Sequence, residues 1–241
     1  MIEELLPRPL VAVAEAFEDA LDEPLHPEEE EVLRRAVAKR RNEFRTARAC
    51  ARRALGDLGV VRRPPLVPGH RGAPTWPPGL VGSMTHCVGY AAAAVARVER
   101  ALSVGIDAEP DLPLPDGVLA AVALPDEVEH LEGLLRTRPG TAWDRLLFSA
   151  KESVYKAWFP LTQRWLGFEQ ARVRLDPGGT FTATLLVPGP RVGGQEVTDF
   201  SGRWTAGRGL VVTGVLLPAP VPTSPGQPAE SAPKNWLVPP L

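Results

Sequence analysis

Two short stretches of this chain concentrate side chains able to do chemistry. The first, Val104-Gly105-Ile106-Asp107-Ala108-Glu109, is an apolar run that ends in two carboxylates. The second, Phe148-Ser149-Ala150-Lys151-Glu152-Ser153-Val154-Tyr155-Lys156-Ala157, adds a further carboxylate and two ammonium groups. A strand alternates its side chains with period 2, so Asp107 and Glu109 point the same way. Mg²⁺ takes hard oxygen ligands, commonly one or two carboxylates completed by water and substrate phosphate. Asp107, Glu109 and Glu152 are therefore candidate metal ligands, and Lys151 and Lys156 are cations suited to a diphosphate beside them. Each string also has a plain reading. Glu152 and Lys156, four apart on a helix, can be a solvated pair worth about a few tenths of a kcal/mol. An Asp-x-Glu at a strand end can simply begin a loop. The combination is what points to phosphate chemistry.

Further cations lie upstream. On a helix read from Pro27 to about Leu58, residues Leu33, Val37, Phe44, Ala47, Ala51, Leu55 and Leu58 share one face at about 100° per residue. Arg40 falls inside that stripe and Arg48 at its edge; Arg34, Arg35, Arg45, Arg52 and Arg53 lie outside it. A buried, unpaired guanidinium is costly. Arg40 thus requires either a carboxylate from the second half or a phosphate gripped by its fork. Arg48 is placed to reach the same ligand. Arg71, in the Gly-rich loop Gly69-His70-Arg71-Gly72, is a third candidate, with an ordinary surface loop as the alternative. Ser83 and His86, in Gly82-Ser83-Met84-Thr85-His86-Cys87, form no Gly-x-Ser-x-Gly elbow and have no Asp placed as in a triad. Cys87 and His86 are adjacent, so in a strand they point apart. What stays open there is a polar donor cluster for a phosphate.

The elements that must position these groups follow from pattern. Residues 8–20 read as a short strand leading into a loop. The Pro27 helix starts with four glutamates, as a helix N-terminus favours, and ends at Gly56 and Gly59. Residues 62–79 form a Pro/Gly loop, and 81–86 a short strand or turn. Gly89–Val98 and Leu102–Asp107 read as strands joined at Glu99-Arg100, with parallel or central placement explaining their continuous apolar character. The Pro-punctuated stretch from Asp111 to Asp116 is the expected lobe boundary. Helices follow over about 125–135 and 142–158. Two hairpins then turn at Asp176-Pro177-Gly178-Gly179 and Gly207-Arg208-Gly209. Each half is a helix plus a small sheet, so the expected class is α+β. The expected division is a first lobe over 1–110, a second over 111–217, and a Pro-rich, loosely packed tail over 218–241.

Composition narrows the function classes. The 241 residues carry a formal charge of −2 and 44% apolar residues, which fits a packed globular core. No global charge draws the chain to nucleic acid or membrane, so a basic site must be local. Cys50 and Cys87 are the only cysteines, too few for a disulfide framework. The start Met1-Ile2-Glu3-Glu4 lacks a basic leader region, and no apolar run is long enough to span a bilayer. The expected location is the cytoplasm.

With those residues in place, the chain resembles the 4′-phosphopantetheinyl transferases, and in particular the two-lobed monomeric type acting on siderophore, polyketide and nonribosomal peptide carrier proteins. The resemblance runs from about Lys39 to Leu217. It is carried by Lys39-Arg40-Arg41-Asn42-Glu43-Phe44, by Val81 to Cys87, by Ser103 to Glu109 and by Trp143 to Pro160. It implies two similar lobes related by a pseudo-twofold, with the active site between them. It implies transfer of phosphopantetheine from coenzyme A, the co-substrate, to a serine of an apo acyl or peptidyl carrier protein, releasing 3′,5′-ADP. On it, Asp107, Glu109 and Glu152 would hold Mg²⁺, with Mn²⁺ the alternative, and Glu152 would also be the base. Lys156 would neutralise or protonate the departing phosphate, and Lys151 would bind the diphosphate or pantetheine side. Arg40, Arg48, Ser83 and His86 would hold the nucleotide end, and Arg71 would lie near the adenine.

Two positions depart from the family pattern. Pro68 stands where a lysine is common, and Thr85 where a serine is common. Two rival classes are a non-catalytic coenzyme A- or nucleotide-binding regulator and an RNA-binding module built on the arginine-rich helix. The first has no need of three carboxylates. The second is disfavoured by the acidic balance and the lack of interleaved aromatics.

Overall fold

The computed structural model describes residues 1–62 and 64–220, so the expected Pro-rich tail lies, beyond 220, outside the described residues. Among the described residues, ten strands and five α-helices follow in chain order: β1 (Ala12–Ala16), α1 (Pro27–Val32), α2 (Ala38–Asp57), β2 (Leu80–Cys87), β3 (Tyr90–Arg97), β4 (Ala101–Pro110), α3 (Val118–Val122), α4 (Pro125–Thr137), α5 (Trp143–Thr162), β5 (Ala171–Asp176), β6 (Thr180–Leu185), β7 (Arg191–Val192), β8 (Gln195–Glu196), β9 (Asp199–Gly207) and β10 (Leu210–Pro218). The mixed α and β content expected from the pattern is present.

The main sheets are antiparallel, in the orders β1-β3-β2 and β4-β10-β9-β6-β5. They stack with the two long helices outside, giving four layers: α2, the three-stranded sheet, the five-stranded sheet, α5. The run Tyr90 to Ala96 is apolar throughout because both faces of β3 are covered. Ala91, Ala93 and Val95 meet Cys50, Ala51, Ala54 and Leu55 of α2. Ala92, Ala94 and Ala96 meet Val104, Ile106 and Ala108 of β4 with Leu210 and Val212 of β10. Continuous apolar character here reflects a central strand, as expected, but an antiparallel one.

Two expectations are corrected and a third, the strand over 81–86, is sharpened. The helix expected from Pro27 to about Leu58 is two helices, broken between Val32 and Ala38. Glu29 of α1 is fully buried against Arg52 of α2, and Arg41 donates to the Leu33 carbonyl at 2.8 Å, which folds α1 back on α2. The stretch 81–86, read as a short strand or turn, is the eight-residue β2. The sheets part at Val98–Arg100 rather than at the Asp111–Asp116 linker, because β4 pairs with β10 along its whole length. A proline linker marks a surface crossing, and long-range pairing decides which sheet a strand joins.

The outer edge of β4 is finished by side chains. Ser83 Oγ accepts the Ile106 N–H at 3.1 Å, and Thr85 Oγ1 accepts the Ala108 N–H at 3.0 Å. Two hydroxyls of β2 thus satisfy edge groups that a further strand would otherwise pair. Among the described residues no helix is long and apolar enough to cross a membrane.

Candidate active site

Period-2 alternation along β4 sets the site. Val104, Ile106 and Ala108 turn to the first sheet, so Ser103, Gly105, Asp107 and Glu109 turn to α5. The helix comes in close. A Cβ on Gly105 would collide with the Ser153 carbonyl oxygen, and Ser103 Oγ donates to the Ala157 carbonyl. On α5, Leu147, Ala150, Val154 and Trp158 are buried against the five-stranded sheet, as the stripe expected.

The ion pair suggested by the i,i+4 spacing is not the one formed. Lys156 Nζ donates to Asp107 Oδ1 at 2.7 Å and to the Ile106 carbonyl at 3.0 Å. Thr85 Oγ1 donates to the same Oδ1 at 3.4 Å. Asp107 Oδ2 is buried with no partner. An unpaired buried carboxylate oxygen is costly, and a hard divalent cation would satisfy it.

Glu109 is half-buried and takes a hydrogen bond of 3.1 Å from Arg145 Nη1. Burial pushes its carboxyl above the usual range and Asp107 adds to this, while Arg145 and Lys156 oppose it. Burial likewise raises Glu152, with Asp107 and Glu109 adding and Lys156 opposing. The three carboxylates are thus mutually repelling neighbours. Among the described residues no three His, Cys, Asp or Glu side chains are already gathered as a metal cage. All three carboxylates stand on β4 and α5, the same sheet-and-helix layer, and not one group on each lobe as the 1–110 division expected.

The first sheet's lobe brings the cations. Arg40, expected buried in the apolar stripe, is half-exposed, because α2 starts at Ala38 and leaves it in the first turn. Its Nη1 lies 2.7 Å from His86 Nε2, with Glu43 beside both. Burial pulls the His86 pKa down, as do Arg40 and Lys156, with Glu43 opposing. Arg48 is buried. Its Nε donates to the Leu66 carbonyl at 3.1 Å, its guanidinium covers the Phe44 ring at 3.4 Å, and burial lowers its pKa to about 10.

A cavity of about 470 Å³ opens between the 69–76 loop and α5. Arg71, Ser83, Glu152 and Lys156 line it, together with Trp76 and Phe159. Arg71 has φ 53° and its guanidinium lies 5.6 Å from the Trp165 ring. Ser83 is almost wholly buried, its oxygen taken by Ile106. Arg40, Arg48 and His86 form a separate group outside the walls of this cavity.

Lys151 is the clear departure from expectation. It is 3% exposed, and its ammonium donates to the Phe168 carbonyl at 2.7 Å and the Ala171 carbonyl at 3.0 Å and pairs with Glu127 at 2.8 Å. Glu127 is 1% exposed and also accepts the Leu124 and Val173 N–H groups at 2.7 Å each. All three ammonium protons are used, so Lys151 pins α5 to α4 and β5 and has none left for a phosphate. Adjacent helical residues face about 100° apart, which is why its neighbour Glu152 lines the cavity and Lys151 does not.

Sequence reasoning missed Trp76, Phe159, His70 and Arg145. Trp76 had a readable trace, since Gly82 leaves the space its ring fills: a Cβ there would lie 2.9 Å from it. His70 stacks on Phe159 with ring centroids 5.8 Å apart, a pairing of distant positions that no local pattern shows.

Residues 28–96 match the 4′-phosphopantetheinyl transferase N-terminal domain, and residues 103–207 match the 4′-phosphopantetheinyl transferase superfamily. The chain is 58% identical to the 4′-phosphopantetheinyl transferase Svp of Streptomyces mobaraensis, over 98% of this chain and 96% of that one. It is 48% identical to the 4′-phosphopantetheinyl transferase PptT of Mycobacterium tuberculosis, over 86% of this chain and 92% of that one. It is 49% identical to the 4′-phosphopantetheinyl transferase Npt of Nocardia iowensis, over 89% of this chain and 99% of that one.

Proposed function

The chain belongs to the 4′-phosphopantetheinyl transferases and is an enzyme of that activity, and from this premise we propose how its own residues carry the reaction. The donor is coenzyme A and the acceptor is a serine hydroxyl of an apo acyl or peptidyl carrier protein. The observation that carries the reading is the orphaned Asp107 Oδ2, buried beside Lys156 with Glu109 and Glu152 as charged neighbours.

Asp107, Glu109 and Glu152 are the residues that would hold Mg²⁺. All are hard oxygen donors, and the unpartnered oxygen on Asp107 fits a cation. Bound there, the ion would supply charge neutralisation for the diphosphate. Because Mg²⁺ commonly takes only one or two carboxylates and lets phosphate complete its shell, a site without a ready-made cage is in keeping.

Glu152 accepts the proton of the carrier serine. Its carboxylate is held above the usual pKa range, which makes it a better base than an exposed glutamate. The serine oxygen forms the new bond to the β-phosphorus, the diphosphate P–O bond breaks, and 3′,5′-ADP departs. Lys156, on the cavity wall and hydrogen-bonded to Asp107, offsets negative charge on the transferring phosphate. Lys151 acts at a distance, by fixing the helix that carries both.

Arg40, His86 and the free ends of the Arg48 guanidinium grip the phosphates of the nucleotide end, as forked and charged donors suit. Arg71, Trp76 and Phe159 wall the cavity, and Ser83 contributes from β2. The first lobe thus supplies the nucleotide grip and the second the carboxylates. We read the lobes as a pseudo-twofold pair, since each lays a twenty-residue helix across antiparallel strands. The protein acts as a monomer in the cytoplasm.

The test is direct. Apo carrier incubated with coenzyme A, Mg²⁺ and enzyme gains the mass of one phosphopantetheine, and the gain is lost with a chelator. No mass gain on any of a panel of fatty-acid, polyketide and peptide carriers would overturn the assignment.

A further inference from the structure

The reaction leaves Arg145 without a role, yet all three nitrogens of its guanidinium group are held by directed bonds. It lies in the first part of α5, about two turns before Glu152. Its Nη1 donates to Glu109 Oε2 at 3.1 Å, its Nε to the Leu112 carbonyl at 3.1 Å, and its Nη2 to the Pro113 carbonyl at 3.0 Å. The linker carrying those carbonyls is itself stitched to the start of α5. Asp111 Oδ1 accepts the Ala142 N–H at 2.8 Å, and Asp144 Oδ2 accepts the Leu114 N–H at 2.8 Å.

Two backbone carbonyls therefore fix the plane of the guanidinium, and its remaining arm fixes the Glu109 carboxyl. Only one Glu109 oxygen is engaged. A planar, rigid fork can do this, whereas a lysine ammonium is a point charge on a flexible stem. We propose that Arg145 is a positioning residue for the divalent cation, orienting Glu109 so that its second oxygen is presented to the metal.

This rests on Glu109 being a metal ligand, and the experiment separates the two claims. Mn²⁺ binding to the coenzyme A-bound enzyme is measured by the EPR signal of free Mn²⁺, for wild type, Arg145→Met and Arg145→Lys, alongside thermal melting. Partners that orient metal ligands typically contribute about 10- to 100-fold in affinity, so the Met variant should weaken Mn²⁺ by about that factor. Lys should restore only part, since it keeps the charge and loses the fork. Coenzyme A binding in chelator should be unchanged, and raising the cation should recover transfer. Full rescue by Lys would show that charge alone matters and would overturn positioning. So would unchanged or tighter Mn²⁺ binding in the Met variant. If the Met variant fails to fold, the Lys variant decides by the same readout. Wild type that binds no Mn²⁺ would instead overturn the metal reading of Glu109.

Discussion

Lys156 and Asp107 meet across the α5–β4 contact with Nζ 2.7 Å from Oδ1. The bond uses one carboxylate oxygen and leaves the other buried without a partner. One contact thus fixes the helix on the strand, sets the direction of a candidate metal ligand and holds a cation on the cavity wall. Lys156→Ala should lower kcat/KM by about 10²–10³-fold, the scale of losing one oriented electrostatic group. Stability should fall by only about 1–3 kcal/mol, because the lysine is partly solvated. Steady-state transfer assays and urea denaturation read the two effects separately.

Glu152→Gln keeps the shape and removes both the base and a metal oxygen charge. Transfer should fall below detection while the far-ultraviolet spectrum and coenzyme A binding in chelator persist. Near-normal turnover in this variant would remove Glu152 from the reaction.

Lys151→Met should behave in the opposite way. It leaves Glu127 buried and unpaired, a loss of about 3–5 kcal/mol, read as a lowered denaturation midpoint. The fraction that remains folded should keep a kcat/KM close to wild type. A stable variant with abolished turnover would return Lys151 to direct contact with substrate.

Burial beside Arg40 and Lys156 holds His86 below its ordinary pKa, so the unfolded chain binds its proton first as pH falls. The stability this contributes is complete above the ordinary value of about 6.5 and is lost as pH falls through the folded value. His86→Asn should flatten that part of the pH dependence of the melting temperature between neutral and mildly acidic buffers. A phosphate docking on His86 would raise its pKa again, so coenzyme A binding should take up protons in calorimetry across buffers of different ionisation enthalpy.

Gly105→Ala tests the close approach that aligns the site. The new methyl would strike the Ser153 carbonyl and the Ala157 amide, both backbone, so α5 must move off β4. Overpacking of this kind should cost about 3 kcal/mol or more. Denaturation midpoints and turnover should fall together.

Much of the chemistry was written in local pattern. The period-2 spacing of Asp107 and Glu109, the stripe on α5 and both Gly-rich hairpins are properties of neighbouring residues, and each formed as its spacing required. Lys156 on the cavity side of α5 follows from the same helical geometry. Tertiary structure decided what no window of sequence contains. It gave β4 to the second sheet, because β10, a hundred residues away, supplied its hydrogen-bonding edge. It broke the arginine-rich helix, because Glu29 and Arg52 found each other in the interior, and so it exposed Arg40 and buried Arg52. It took Lys151 out of the site and tied it to Glu127, since three carbonyl and carboxylate acceptors from other elements matched its three protons. Side-chain direction is set by local geometry, but the partner of a buried charge is set by whichever distant group is desolvated beside it.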